Sequence, residues 1–159
     1  MQKYTSLDNV GVSWFFDDPV VSKDDLKSIR AFSSEYSFDY WTHNICPERH
    51  LMLDANLDQR FSFKKAEYCW ENDWNSGNIN GLPDFLKKHV DLLEDEIIVY
   101  FWSRGCGVET TWGVFLRNWI NFLFEDEAPI LLCPCTRFSV MFGPGGYMLI
   151  GSKNSECTD

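Results

Sequence analysis

The sequence predicts a single α+β domain over residues 1–159: an antiparallel sheet with a C-terminal β-meander, covered by an amphipathic helix, with further helices toward the N-terminus. Three observations predict it. Glu96 to Trp102 is an unbroken aliphatic and aromatic run, as a strand buried on both faces requires. Trp112, Phe115, Leu116, Trp119, Phe122 and Leu123 recur at helical spacing behind Thr110 and Thr111, either of which can cap a helix that ends at Leu123. Residues 129–133, 137–142 and 147–151 are short strand-like segments. They are separated by Cys133-Pro134-Cys135-Thr136 and Gly143-Pro144-Gly145-Gly146, which are turn chemistry.

From the N-terminus, Val12–Phe16 reads as a short strand. Ser22 before Lys23, Asp24 and Asp25 has the form of a helix cap with acids in the first turn; Leu26, Ile29 and Phe32 carry that helix onward. A second helix starts at Ser33 or Ser34, contains Phe38, Trp41, Thr42 and Ile45, and stops before Pro47. Between Pro47 and Asn80 aromatics are frequent but charges break every period, and Asn72 to Asn78 reads as a loop. Pro83 and Asp84 then open a short helix through Phe85, Leu86 and Val90. The turn from Ser103 to Gly107 ends the central strand, and residues 154–159 are expected to be a disordered tail.

Of 159 residues, 24 are acidic and 14 basic, a net charge of −10, which argues against a nucleic-acid partner because phosphate binding needs a concentrated basic surface. Apolar runs such as Ile97–Trp102 and Trp119–Phe124 fall short of the roughly 20 residues that cross a bilayer, so no membrane partner is expected. No secretory apolar stretch follows Met1, and the expected location is the cytoplasm. The six cysteines then read as free thiols. His43, Cys46 and His50, with Cys133 and Cys135, lack the two paired knuckles of a structural zinc site, so neither a metal nor a cofactor is expected.

No nucleophile elbow, phosphate loop, zinc-protease motif or dinucleotide fingerprint is present, and no catalytic residue is assigned. His43, His50 and His89 sit among polar residues and read as solvated. Glu109 is the acid that stands out. It lies beside a helix start, near Arg104 and Trp112, where it is either a binding carboxylate or a cap paired with Arg104 or Arg117.

Composition favours a protein-binding module. Acidic clusters at Asp91–Glu96 and at Glu125, Asp126 and Glu127 would steer a basic partner. Trp70 and Trp74, in the irregular stretch, are the expected surface anchors, whereas Trp102, Trp112 and Trp119 are expected in the core. A small-molecule binder with an aromatic-lined pocket between helices and sheet is the alternative, and a hydrolase-like enzyme is the weakest reading. An exposed aromatic patch would also serve a homodimer.

The block Glu109-Thr110-Thr111-Trp112-Gly113-Val114-Phe115-Leu116-Arg117-Asn118-Trp119, followed by Phe122-Leu123-Phe124, Asp126, Pro129 and Leu131, resembles the bacterial domain of unknown function 2947 over about residues 97–133. The resemblance implies a small bacterial cytoplasmic α+β protein, of a kind carried in mobile cassette arrays, and brings no activity or site residue with it. An immunity protein that neutralises a basic nuclease toxin would suit that setting and this charge.

Overall fold

In the computed structural model, which describes residues 2–47, 60–123 and 128–154, the strands are β1 (Tyr4–Thr5), β2 (Arg30–Phe32), β3 (Phe61–Ala66), β4 (Ile97–Ser103), β5 (Cys106–Thr111), β6 (Ile130–Leu132), β7 (Phe138–Phe142) and β8 (Met148–Lys153). The helices are α1 (Lys23–Lys27), α2 (Ser34–Asn44), α3 (Trp70–Ser76), α4 (Gly81–His89) and α5 (Trp112–Phe122). All eight strands form one antiparallel sheet in the order β1-β2-β5-β4-β6-β7-β8-β3.

The central strand β4 explains the layering. Successive side chains on a strand point to opposite faces, and β4 is apolar at both. Ile98, Tyr100 and Trp102 join the cluster that includes Leu82 and Leu86 of α4, Trp112 and Phe115 of α5, and the N-terminal Phe15 and Phe16. Val99 and Phe101 join the second cluster, with Trp41 of α2, Ile130, Leu132 and Phe61. The sheet is therefore covered on both sides, by α3–α5 on one and α2 on the other.

Local rules set the helix ends. Ser22, Ser33 and Thr111 each cap a helix by accepting a backbone N–H, from Asp25, Tyr36 and Val114 respectively. The first amides of α5 find carbonyls outside the helix: Trp112 N donates to Glu96 O at 2.9 Å and Gly113 N to Glu94 O at 2.8 Å. At its other end, Phe122 O accepts from Tyr100 Oη at 3.0 Å and Trp102 Nε1 at 2.8 Å, so the buried helix leaves little unpaired.

The capped helices, the central strand and the meander β6–β7–β8 lie where the sequence places them. Four segments differ. Ser13–Phe16 is a 3-10 turn rather than a strand, with Phe15 and Phe16 buried. The first helix stops at Lys27, and Arg30–Phe32 is instead a strand between β1 and β5; three residues are too few to show a period. Cys106–Thr111, read as turn and helix cap, is a six-residue strand whose polar composition is overridden by its ladder with β4. Gly107 is needed there, since a Cβ at that position would overlap the Phe101 ring. The stretch from Phe61 to Asn78 contains an edge strand and a helix, α3, which ends at Gly77 in the left-handed region at φ 73°.

Candidate functional site

The structure separates the residues singled out from the sequence. Trp70 is buried, 3% exposed, because α3 turns it inward; its ring centroid lies 6.3 Å from that of half-buried Trp74, which in turn lies 6.3 Å from Trp119. These indoles pack in the core rather than anchoring a surface. Trp112 is buried against Phe115 and Phe138, as Trp102 and Trp119 are buried among their own neighbours. Arg104, in the β4–β5 turn, donates to Thr42 Oγ1 from Nη2 at 2.7 Å and from Nε at 3.2 Å, and its guanidinium lies 3.9 Å from the Phe38 ring centroid. Glu125, Asp126 and Glu127 lie outside the described residues, as does His50.

Glu109 does not sit at a helix terminus. It lies within β5, with its side chain in the layer of Phe101 and Tyr4. It accepts from Tyr4 Oη at 2.9 Å and faces Arg30 Nη1 at 3.8 Å and Lys3 Nζ at 4.0 Å. These contacts rivet β1, β2 and β5 together, and its partners are not the Arg104 or Arg117 expected from the sequence. The acids that do neighbour the positive end of α5 are those of the loop before β4, which is joined to the helix through Glu94 O and Glu96 O.

That loop belongs to a face the sequence reading located only in part. Among the described residues seven large apolar side chains are exposed: Trp14, Val20, Leu26, Phe38, Ile79, Leu93 and Ile97. All but Phe38 and Ile97 lie in segments anchored to α5; Ile97 stands on the Val99 and Phe101 side of β4, across the sheet from that helix. Asn121 Nδ2 donates to Phe15 O and Pro19 O, each at 2.8 Å, holding the segment of Trp14 and Val20. Arg117 grips Asp25 with two bonds of 2.8 and 3.2 Å, and Asn118 adds a third of 2.9 Å, holding α1 and Leu26. The same guanidinium faces Glu94 at 3.8 Å, beside Leu93. Trp119 Nε1 donates to Ile79 O at 2.9 Å. The same segments of the chain carry the exposed carboxylates of Asp17, Asp18, Asp24, Asp91, Glu94 and Asp95, together with exposed Lys23 and Lys27 near Leu26.

Arg117 holds the Asp25 carboxyl below the usual range, Asn118 and Ser22 assisting against the opposing effect of burial. The Arg117 guanidinium is raised in return, chiefly by its bond to Asp25, so the pair stays charged at neutral pH. This clamp is what sequence reasoning missed. Leu93 alone carried a signal, as a leucine inside an acidic run. Burial pushes the Cys106 thiol up to about 11, which suits a packing role. The described cysteines form no disulfide, and no three His, Cys, Asp or Glu residues among the described positions gather as metal ligands would. No helix among the described residues is long and apolar enough to cross a membrane.

Comparison with curated proteins and with solved structures finds no match. A family profile does match, over residues 4–151, well beyond the block that carried the resemblance. The chain belongs to the family described as "Protein of unknown function (DUF2947)".

Proposed function

We propose that this chain is an acidic protein-binding module, and that its basic partner docks on the face assembled around α5. The reading rests on Val20 and Leu93, 83% and 74% exposed, set among carboxylates in two segments that α5 holds in place. Scattered exposed apolar side chains are ordinary. Exposed apolar groups on anchored backbone, with carboxylates beside them in the chain, combine the apolar anchors and charged surroundings that interfaces use. Burying one such side chain contributes about 1.5–3 kcal/mol, while the carboxylates speed encounter with a basic surface. An immunity protein against a basic nuclease toxin would use this chemistry.

The test compares capture of soluble protein by the wild-type chain, by Val20→Ser/Leu93→Ser, and by a variant with Asp17, Asp18, Asp91 and Asp95 changed to Asn. The expected result is a basic partner held at low salt and released near 0.5 M, where screening shrinks to about 4 Å, and lost from both variants. Equal capture by all three proteins, or capture indifferent to salt, would refute the reading.

A further inference from the structure

A cleft of about 480 Å³ opens at the edge of the sheet, between β3 with its neighbour β8 and the C-terminal end of α4. Its volume is within the range of small-ligand sites. Ala66, Phe85 and Ile150 form the apolar part of its lining, and Lys64, Lys65, Glu67 and His89 the polar part. Register decides which lysine serves it. Lys64 pairs with Ile150 and Ala66 with Met148, so Lys64 and Ala66 stand on the face of the sheet that α4 covers. Lys65 alternates to the other face, with its ammonium 5.9 Å from the Tyr147 ring centroid. Lys64 is therefore the cation that the strand brings to the cleft.

The wall opposite is ordered in advance. Phe85 and His89 are one turn apart on α4, their ring centroids at 4.3 Å, and Phe85 also stacks on Tyr68 at 4.3 Å. The Tyr68 hydroxyl donates to the buried carboxylate of Asp73. A row of rings anchored in this way sets the His89 imidazole at the cleft, so less side-chain freedom remains to be lost on binding. Lys64 and His89 are exposed, and neither forms an ion pair with a described residue. Glu67, just past the end of β3, is the one carboxylate among the described lining residues. Its charge disfavours a multiply charged anion, and the apolar lining favours a ligand with a hydrocarbon body.

We propose that this cleft binds a small apolar monocarboxylate, its oxygens paired to Lys64 Nζ and to the His89 ring N–H, its hydrocarbon body laid on Ala66, Phe85 and Ile150. The proposal gives a place, between α4 and the sheet, to the aromatic-lined pocket that the composition allowed. The cleft shares no residue with the protein-binding face proposed around α5 and does not depend on it.

The test titrates octanoate, phenylacetate and their uncharged amides, octanamide and phenylacetamide, separately into the isotopically labelled full chain, following backbone amide resonances. At least one acid should give saturable shifts centred on Lys64, Ala66, Phe85, His89 and Ile150. A response to octanoate alone assigns an alkyl body, and a response to phenylacetate alone an aryl one. The amide of the responding acid should bind at least about fivefold more weakly, since it keeps the body and loses the charge. Lys64→Met retains an apolar stem at an exposed position, so the melting temperature should stay within about 2 °C, while the acid binds about fivefold more weakly. Glu67→Gln should tighten binding by removing a like charge. Saturation by neither acid, equal binding of acid and amide, undiminished binding by Lys64→Met, weaker binding by Glu67→Gln, or shifts centred on Lys87 and Lys88 would overturn the proposal.

Discussion

Replacing Asn121 by alanine tests how the segment carrying Trp14 and Val20, part of the proposed docking face, is held. Asn121 is 3% exposed, and its amide nitrogen carries the carbonyls of both Phe15 and Pro19 at 2.8 Å. The Phe15 bond is fully buried, so its carbonyl would be stranded without water, at a cost of about 1–3 kcal/mol. The Pro19 bond is only partly buried, water can replace the donor, and the loss there is about 0.5–1.5 kcal/mol. Together Asn121→Ala should cost about 1.5–4.5 kcal/mol in urea unfolding, with an unchanged m-value. Asn121→Asp should cost more, because it sets a carboxylate against two carbonyls. Hydrogen exchange should accelerate first at Val21 and Asp17, whose amides close local turns onto Phe16 O and Trp14 O. A loss under about 0.5 kcal/mol, or exchange unaltered in this segment, would show that core packing of Phe15 and Phe16 alone holds it, and the reasoning would fail.

Two further outcomes follow from the packing and the ion pairs. Gly107→Ala drives a methyl group into the Phe101 ring and should destabilise by about 1–3 kcal/mol, whereas Gly105→Ala, two residues away with open space around it, should stay within about 0.5 kcal/mol; thermal melts of both decide the point. Asp25 has a folded pKa below its unfolded value near 3.9, so the stability its ionised form contributes is present above about pH 4 and is lost as pH falls through the folded pKa. Urea unfolding from pH 7 to pH 3 should therefore decline more steeply for the wild type than for Asp25→Asn; parallel profiles would contradict the clamp by Arg117.

Elements defined by local chemistry were legible. Ser22, Ser33 and Thr111 announce helices because capping needs only a side chain and an amide three residues on. The β4 run is readable because burial on both faces leaves no place for a polar residue. β2 and β3 were not legible, since each exists through pairing with residues distant in the chain, Ala31 with Val108 and Lys64 with Ile150, and β5, though it folds back on β4 in a hairpin, is held on its other edge by β2. A local pattern contains no record of such a partner, and Cys-Gly-Val-Glu-Thr-Thr has weak strand propensity of its own.

The site was less legible for the same reason, and Glu109 shows why. In sequence it is three residues from Trp112, so a helix terminus seemed to be its neighbour. On a strand, adjacent residues face opposite layers, and the next strand is only about 5 Å away. Glu109 accordingly meets Tyr4 and Arg30, far off in the chain, while α5 packs on the other face. Charge counting meets the same obstacle. The acidic excess is a property of the whole chain, but recognition depends on which charges a sheet and its covering segments bring to one side. Here the excess acids beside α5 accompany exposed apolar anchors. Acids and bases stand on both sides of the sheet, Glu109 with Arg30 on one and Asp25 with Arg117 on the other, so the net charge of the chain by itself describes neither face.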